Sequence, residues 1–207
     1  MLLSKIEELK KSQISKLIVS RIKEFKTKKP SDEIFSELCF CLMTANFNAE
    51  RSIKIQEQIG SKEFLTLSKE KLSVKLKRLG HRFYNKRAEF ICLARKSYLA
   101  LIKLLKTEKD EYKIRDWLVK NIKGLGFKES SHFLRNIGFE NVAIIDFHIV
   151  DLLVKEGLVG KMKSRTLAKK TYLEIEQTLQ DIGRRTKLNL AELDLYLWYL
   201  ETGKILK

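Results

Sequence analysis

The chain has 207 residues, with 42 lysines and arginines against 26 aspartates and glutamates, a formal net charge of +16. Apolar residues make up 44% of it, enough for a domain-sized core, so the charge is no sign of a disordered chain. A chain this basic is expected to work beside a polyanion, nucleic acid first of all. A single proline, Pro30, excludes Pro-rich linkers. Cys39, Cys41 and Cys92 form no CxxC pair, so no zinc or iron–sulfur ligand set is built from them alone; reduced thiols and no metal or cofactor are expected. The N-terminal stretch carries Lys5, Glu7 and Glu8, and reads as neither a signal peptide nor a membrane span.

The periodicity is helical from the start. Leu2, Ile6 and Leu9, then Leu17, Ile18, Ile22 and Phe25, fall at steps of three and four. Pro30-Ser31-Asp32 interrupts, and Ser31 or Asp32 is placed to cap a helix through Phe35, Leu38, Cys39 and Leu42. Asn48, Ser61, Ser68, Asp110, Asp146, Ser164 and Asn189 are further cap candidates. Gly60, Gly80, Gly138, Gly157, Gly160, Gly183 and Gly203 fall near the ends of apolar-periodic stretches, as C-cap glycines do. No run has the period-two alternation of a strand. The expectation is an all-α protein of about ten helices. It divides into a middle lobe over residues 32–121 and a second lobe over residues 1–31 plus 122–207.

Gly124 and Gly126 sit between two helical patterns. The segment 117–138 reads as a helix ending near Ile122, a Lys123-Gly124-Leu125-Gly126 turn, and a second helix from about Phe127 to Ile137. Two glycines let such a turn take positive φ and approach a ligand, and the second helix opens with free amides that suit a phosphate. This is a helix-hairpin-helix over residues 122–137, which grips one DNA strand through its backbone. Lys128 follows two residues after Gly126. Eighteen residues beyond Lys128, the apolar run from Val142 ends in Asp146, which opens another helix. The plain role of Asp146 is an N-cap; an aspartate near a hairpin lysine also tunes its chemistry.

The order GlyLeuGly, Lys128, apolar run, Asp146 resembles the helix-hairpin-helix-GPD superfamily of DNA glycosylases. Leu42-Met43-Thr44-Ala45-Asn46 is similar to that superfamily's segment that ends a helix and inserts a polar residue into DNA. Gly80-His81-Arg82-Phe83-Tyr84-Asn85-Lys86-Arg87-Ala88-Glu89 resembles its loop before the next helix. Length, the Thr-Ala-Asn-Phe-Asn-Ala string and the terminal lysine resemble most the compact archaeal-type 8-oxoguanine DNA glycosylase/lyase. The chain departs from the wider superfamily in having Lys123 where many members have proline. It also has no cysteine after Cys92, so the iron–sulfur cluster of the endonuclease III relatives is not expected, nor is there room for an extra N-terminal β domain.

The resemblance implies a two-lobed helix-hairpin-helix-GPD glycosylase fold with a DNA-binding cleft between the lobes, and a division of labour for a base that must be flipped out of the duplex. Gly124, Gly126 and His148 would hold phosphates. Asn46 and the loop at Phe83 would fill the gap left by the base, with Arg51 and Arg82 on the orphaned partner or the backbone. His132, one helical turn from Lys128, and Asp194 with Trp198, also four residues apart, would line the base pocket; the terminal Lys207 would read the oxidised guanine. Lys128 would attack C1′ as a neutral amine, and Asp146 would stabilise the charge developing on the sugar. The implied partner is double-stranded DNA containing an oxidised purine, met by a monomeric, cytoplasmic, nucleoid-associated enzyme needing no cofactor and no membrane. Two alternatives stay open: the same fold acting on another damaged base, and a non-catalytic DNA-binding module.

Overall fold

The computed structural model describes residues 2–162, 164 and 166–207. Among them are twelve α-helices and no strand: α1 (Leu2–Lys10), α2 (Gln13–Lys26), α3 (Ser31–Thr44), α4 (Ala49–Thr66), α5 (Lys69–Arg78), α6 (Tyr84–Ala94), α7 (Tyr98–Thr107), α8 (Glu111–Asn121), α9 (Phe127–Asn136), α10 (Phe147–Lys155), α11 (Lys169–Thr186) and α12 (Leu190–Thr202). The all-α expectation holds. The count exceeds ten partly because Ser12 breaks the N-terminal stretch, accepting from the Ile14 N–H to cap α2.

Five of the expected caps are in place: the side chains of Asn48, Ser68, Asp110, Asp146 and Asn189 each accept from an amide of the following turn. Others are not. Pro30, not Ser31 or Asp32, stands at the N-cap of α3, and the Asp32 carboxylate instead accepts from the Ser61 hydroxyl at 2.6 Å. Ser61 follows Gly60, whose non-helical φ of 74° and ψ of 160° divide α4 into two stretches. Ser164 turns back on the Thr166 amide, and Ala168 precedes α11. Gly183 is interior to α11, where the Leu188 carbonyl oxygen lies 2.7 Å from where a Cβ would stand; the left-handed cap of that helix is Lys187.

Backbone packing divides the chain into two units, Lys28–Phe133 and Met1–Thr27 with Leu134–Lys207. The division differs from the expected 32–121 lobe at the hairpin, of which residues 122–133 pack with the middle unit. Leu125 is buried, Gly124 lies against Phe90 of α6, and Arg115 of α8 donates to the Ser131 hydroxyl at 3.2 Å. At the centre of this unit runs α3, buried without a break from Phe35 to Thr44, its polar Ser36 and Glu37 side chains accepting from the Gln56 amide at 3.1 and 3.2 Å. It packs along α4 and α6.

In the other unit α12 packs on α2, α10 and α11, burying Leu190, Leu193, Leu195, Tyr196 and Leu197. The apolar run Val142–Ile145 is buried yet belongs to no helix, so its amides need partners from elsewhere. Helix α11 provides them. The Glu176 carboxylate accepts from Ala143 N at 2.7 Å, and the Tyr172 hydroxyl donates to Ala143 O at 2.7 Å and receives Ile145 N at 3.3 Å. These bonds hold the segment that ends in Asp146.

Candidate nucleic-acid interface and active site

The hairpin forms as its sequence suggests, with one change. Gly124 takes φ 98°, and a Cβ there would come within 2.4 Å of the Phe90 ring. Gly126 has no positive φ, so a single left-handed residue makes the turn. The Gly126 N–H, expected to meet a phosphate, donates at 3.2 Å to the Glu129 carboxylate. Glu129 was not foreseen, although an acid three residues after a helix's opening residue is half of a capping box. A carboxylate thus already occupies the amide that was expected to meet a phosphate. Lys128 follows on the first turn of α9, half-buried, and His132 one turn later is buried with its ring edge-on to Phe40 at 5.4 Å.

The two loops expected to enter the duplex are joined. Helix α3 ends at Ala45, and Asn46 turns the chain with a left-handed φ of 57°. The Arg82 guanidinium donates to the Asn46 carbonyl at 3.3 Å and lies 4.4 Å from the Phe83 ring centroid. The bond between the loops that sequence reading missed belongs to His81, which is only 2% exposed. Its Nδ1 accepts from Phe83 N at 3.1 Å, which leaves Nε2 to donate to the Met43 carbonyl at 3.0 Å; the ring also stacks on Phe47 at 4.1 Å. Arg51, exposed on the first turn of α4, gives its backbone N–H to the Asn48 cap.

Both His81 nitrogens are thus committed to the neutral ring, and burial pushes its pKa below the usual 6.5. A folded-state pKa below the unfolded one means that protonation favours unfolding. The stability tied to this ring is therefore complete above pH 6.5 and is lost as pH falls through the folded value. Melting curves from pH 8 downward should show the wild type losing stability on acidification relative to His81→Gln, whose amide keeps both bonds without titrating. Parallel curves would remove His81 as the source.

In the other unit, Asp146 caps α10 by accepting from Ile149 N at 3.0 Å. His148, exposed on the first turn, meets the edge of the Trp198 ring at 5.3 Å. Trp198 is half-buried at the point where α12 leaves the core, and its indole Nε1 is buried without a hydrogen-bond acceptor among the described residues. Lys207 is half-buried. Asp194 is paired with Arg135 of α9 at 3.0 Å, the two side chains 11% and 4% exposed. Arg135 also lies 4.6 Å from the Phe25 ring centroid. Asp194→Ala is expected to lower stability by about 3 kcal/mol, because it leaves a buried guanidinium without this carboxylate. An unchanged melting temperature would reduce Asp194 to a ligand contact.

Residues 18–188 match the family model described as 8-oxoguanine DNA glycosylase. The chain belongs to the 8-oxoguanine DNA glycosylase family. This family member is 52% identical to the 8-oxoguanine DNA glycosylase/AP lyase of Korarchaeum cryptofilum, over 100% of its own chain and 98% of the relative. Its fold matches the crystal structure of the Methanocaldococcus jannaschii 8-oxoguanine glycosylase/lyase in complex with a 15mer DNA containing 8-oxoguanine, with a TM-score of 0.96 at 52% identity and complete coverage of both chains. The 8-oxoguanine DNA glycosylase of Thermotoga maritima follows at a TM-score of 0.92 and 40% identity, over 100% of this chain and 98% of that one. No described helix of this glycosylase-family chain is long and apolar enough to cross a membrane.

Proposed function

We propose that this chain excises 8-oxoguanine from double-stranded DNA and cleaves the strand at the resulting abasic site. The observation that carries the reading is the full-length likeness, at 52% identity, to a glycosylase/lyase crystallised on DNA containing 8-oxoguanine. The basic surface draws in the duplex, and the hairpin amides receive a phosphate once Glu129 turns aside. Asn46, Arg82 and Phe83, already on joined loops, occupy the space left by the extruded nucleotide, with Arg51 on the flanking backbone. His148 contacts a nearby phosphate. In one unit Trp198 offers the base a ring face, Asp194 a carboxylate and Lys207 the contact that distinguishes the oxidised base; in the other, His132 is the base-contacting side chain.

The chemistry falls to Lys128 and Asp146. The lone pair of Lys128 Nζ forms a bond to C1′ while the glycosidic bond breaks, its electrons leaving with the base, which takes up a proton. Asp146 faces the positive charge that develops on the sugar. Ring opening gives a Schiff base between Lys128 and C1′; loss of a C2′ proton then expels the 3′ phosphate by β-elimination. Incubating the protein with duplexes bearing 8-oxoguanine, thymine glycol or uracil, with borohydride added, tests the whole reading. An adduct and a cut strand are expected first on 8-oxoguanine. Faster cutting of thymine glycol would make the chain a glycosylase for another lesion, and no adduct on any duplex would leave a DNA-binding module.

A further inference from the structure

The steps above make no use of a buried arginine. Arg87 of α6 is nevertheless only 7% exposed. Its Nη2 donates to the carbonyl of Ala45, where α3 ends. Its guanidinium lies 5.7 Å from the Phe83 ring centroid and 5.9 Å from that of Phe90. Its Nε is buried with no acceptor among the described residues. Burial disfavours its charge, and the acidic group that favours it is Glu129 of α9. Stability alone is a poor account of such a group, because an apolar side chain of the same volume avoids the desolvation cost.

What the neighbours of Arg87 share is position. Ala45 precedes Asn46 in the first of the joined loops. Phe83 is the aromatic residue of the second. Phe90 fills the space that Gly124 leaves open, with 2.4 Å between its ring and the site of a Cβ. Glu129 follows Lys128 and accepts from the Gly126 N–H. Helix α6 therefore carries, on adjacent turns, a group that holds the backbone of one loop and a ring that seats the hairpin.

We propose that Arg87 is a positioning residue that ties the loops entering the duplex to the hairpin carrying Lys128, so that base extrusion and presentation of the amine occur in one geometry. The proposal rests on the reading of Asn46, Arg82 and Phe83 as the wedge and of Lys128 as the nucleophile. Its consequence is a split between the two activities. Removing a stacked base needs the wedge to hold its place against the duplex. Cleaving a site that has already lost its base needs only the amine to reach C1′.

The test compares Arg87→Met and Arg87→Lys with the wild type under single-turnover conditions. One duplex carries 8-oxoguanine, a second a preformed abasic site, and 2-aminopurine beside the lesion reports extrusion. Base release by Arg87→Met is expected to slow on the order of 100-fold, the scale of a misplaced reacting group, while cleavage of the abasic duplex stays close to wild type. The 2-aminopurine signal on binding should be lost with base release. Arg87→Lys keeps a charge for Glu129 but not the planar fork toward Ala45, and should show the same split at smaller size, which carries the test if the methionine variant does not fold. Proportional loss of both activities, no loss of either, or an intact 2-aminopurine signal would overturn the proposal. Phe83→Ala and Lys128→Gln run alongside. If Phe83→Ala left the ratio of base release to abasic cleavage at the wild-type value, or Lys128→Gln still formed a borohydride adduct, the underlying reading would fail instead.

Discussion

Lys128→Gln is expected to abolish the borohydride-trapped adduct and to slow strand cleavage on the order of 10⁶-fold, the scale seen when a covalent nucleophile is removed. Glutamine keeps a polar side chain only one atom shorter, but its amide nitrogen has no free lone pair able to form a Schiff base. Lys128 lies on the first turn of α9, where the neighbouring packing is done by Leu125, buried in the hairpin, and by Ser130 and Ser131, both 0% exposed. Its loss should therefore leave the melting temperature and duplex binding close to wild type. Gel analysis of trapped complexes and filter binding of the same protein separate the two effects. An adduct that persists in Lys128→Gln assigns the nucleophile to another amine, and loss of binding equal to loss of cleavage makes Lys128 a phosphate contact.

Asp146→Asn should slow base release about 10³-fold, within the range for a positioned acid or base, while duplex binding is kept. The substitution separates two roles that coincide at this position. Asp146 caps α10 through one oxygen, accepting from Ile149 N at 3.0 Å. Asparagine caps a helix about as well as aspartate, so the fold should lose little, whereas the negative charge is gone. Asp146→Ala removes both and should add a stability loss of about 1 kcal/mol. Single-turnover rates and melting temperatures of the pair distinguish charge from cap. If Asp146→Asn released the base at the wild-type rate, the carboxylate would be a cap and nothing more.

Much of the local structure was legible because its causes are local. The steps of three and four, the side-chain caps at Asn48, Ser68, Asp110, Asp146 and Asn189, and the Gly124-Leu125-Gly126 turn all act within a few residues. The errors are instructive in the same way. Ser61 follows Gly60, whose φ of 74° and ψ of 160° do break the helical path of α4, but its hydroxyl is engaged by the Asp32 carboxylate, 29 residues away. Glu129 was visible as an acid three residues after Gly126, and its occupation of that amide is a local event that the pattern already contained. The pairing of Asp194 with Arg135 was not visible: 59 residues separate them, and nothing in either helix marks the other.

From its opening charge of +16 onward, the sequence determined an all-α chain, a hairpin with the residues to approach a phosphate, and a lysine beside it. These follow from periodicity, capping and backbone freedom, which are properties of short stretches. Tertiary structure decided what holds the pieces in place. His81 reaches Met43 across 38 residues, Arg87 reaches Ala45 across 42, and Tyr172 and Glu176 satisfy the amides ahead of Asp146 from about 30 residues away. Each is a buried polar group whose partner is a main-chain atom. Every residue but Pro30 has a main-chain N–H, and every residue a carbonyl, so the identity of the partner residue leaves no trace in the sequence. Only the packing of the helices selects which one is met.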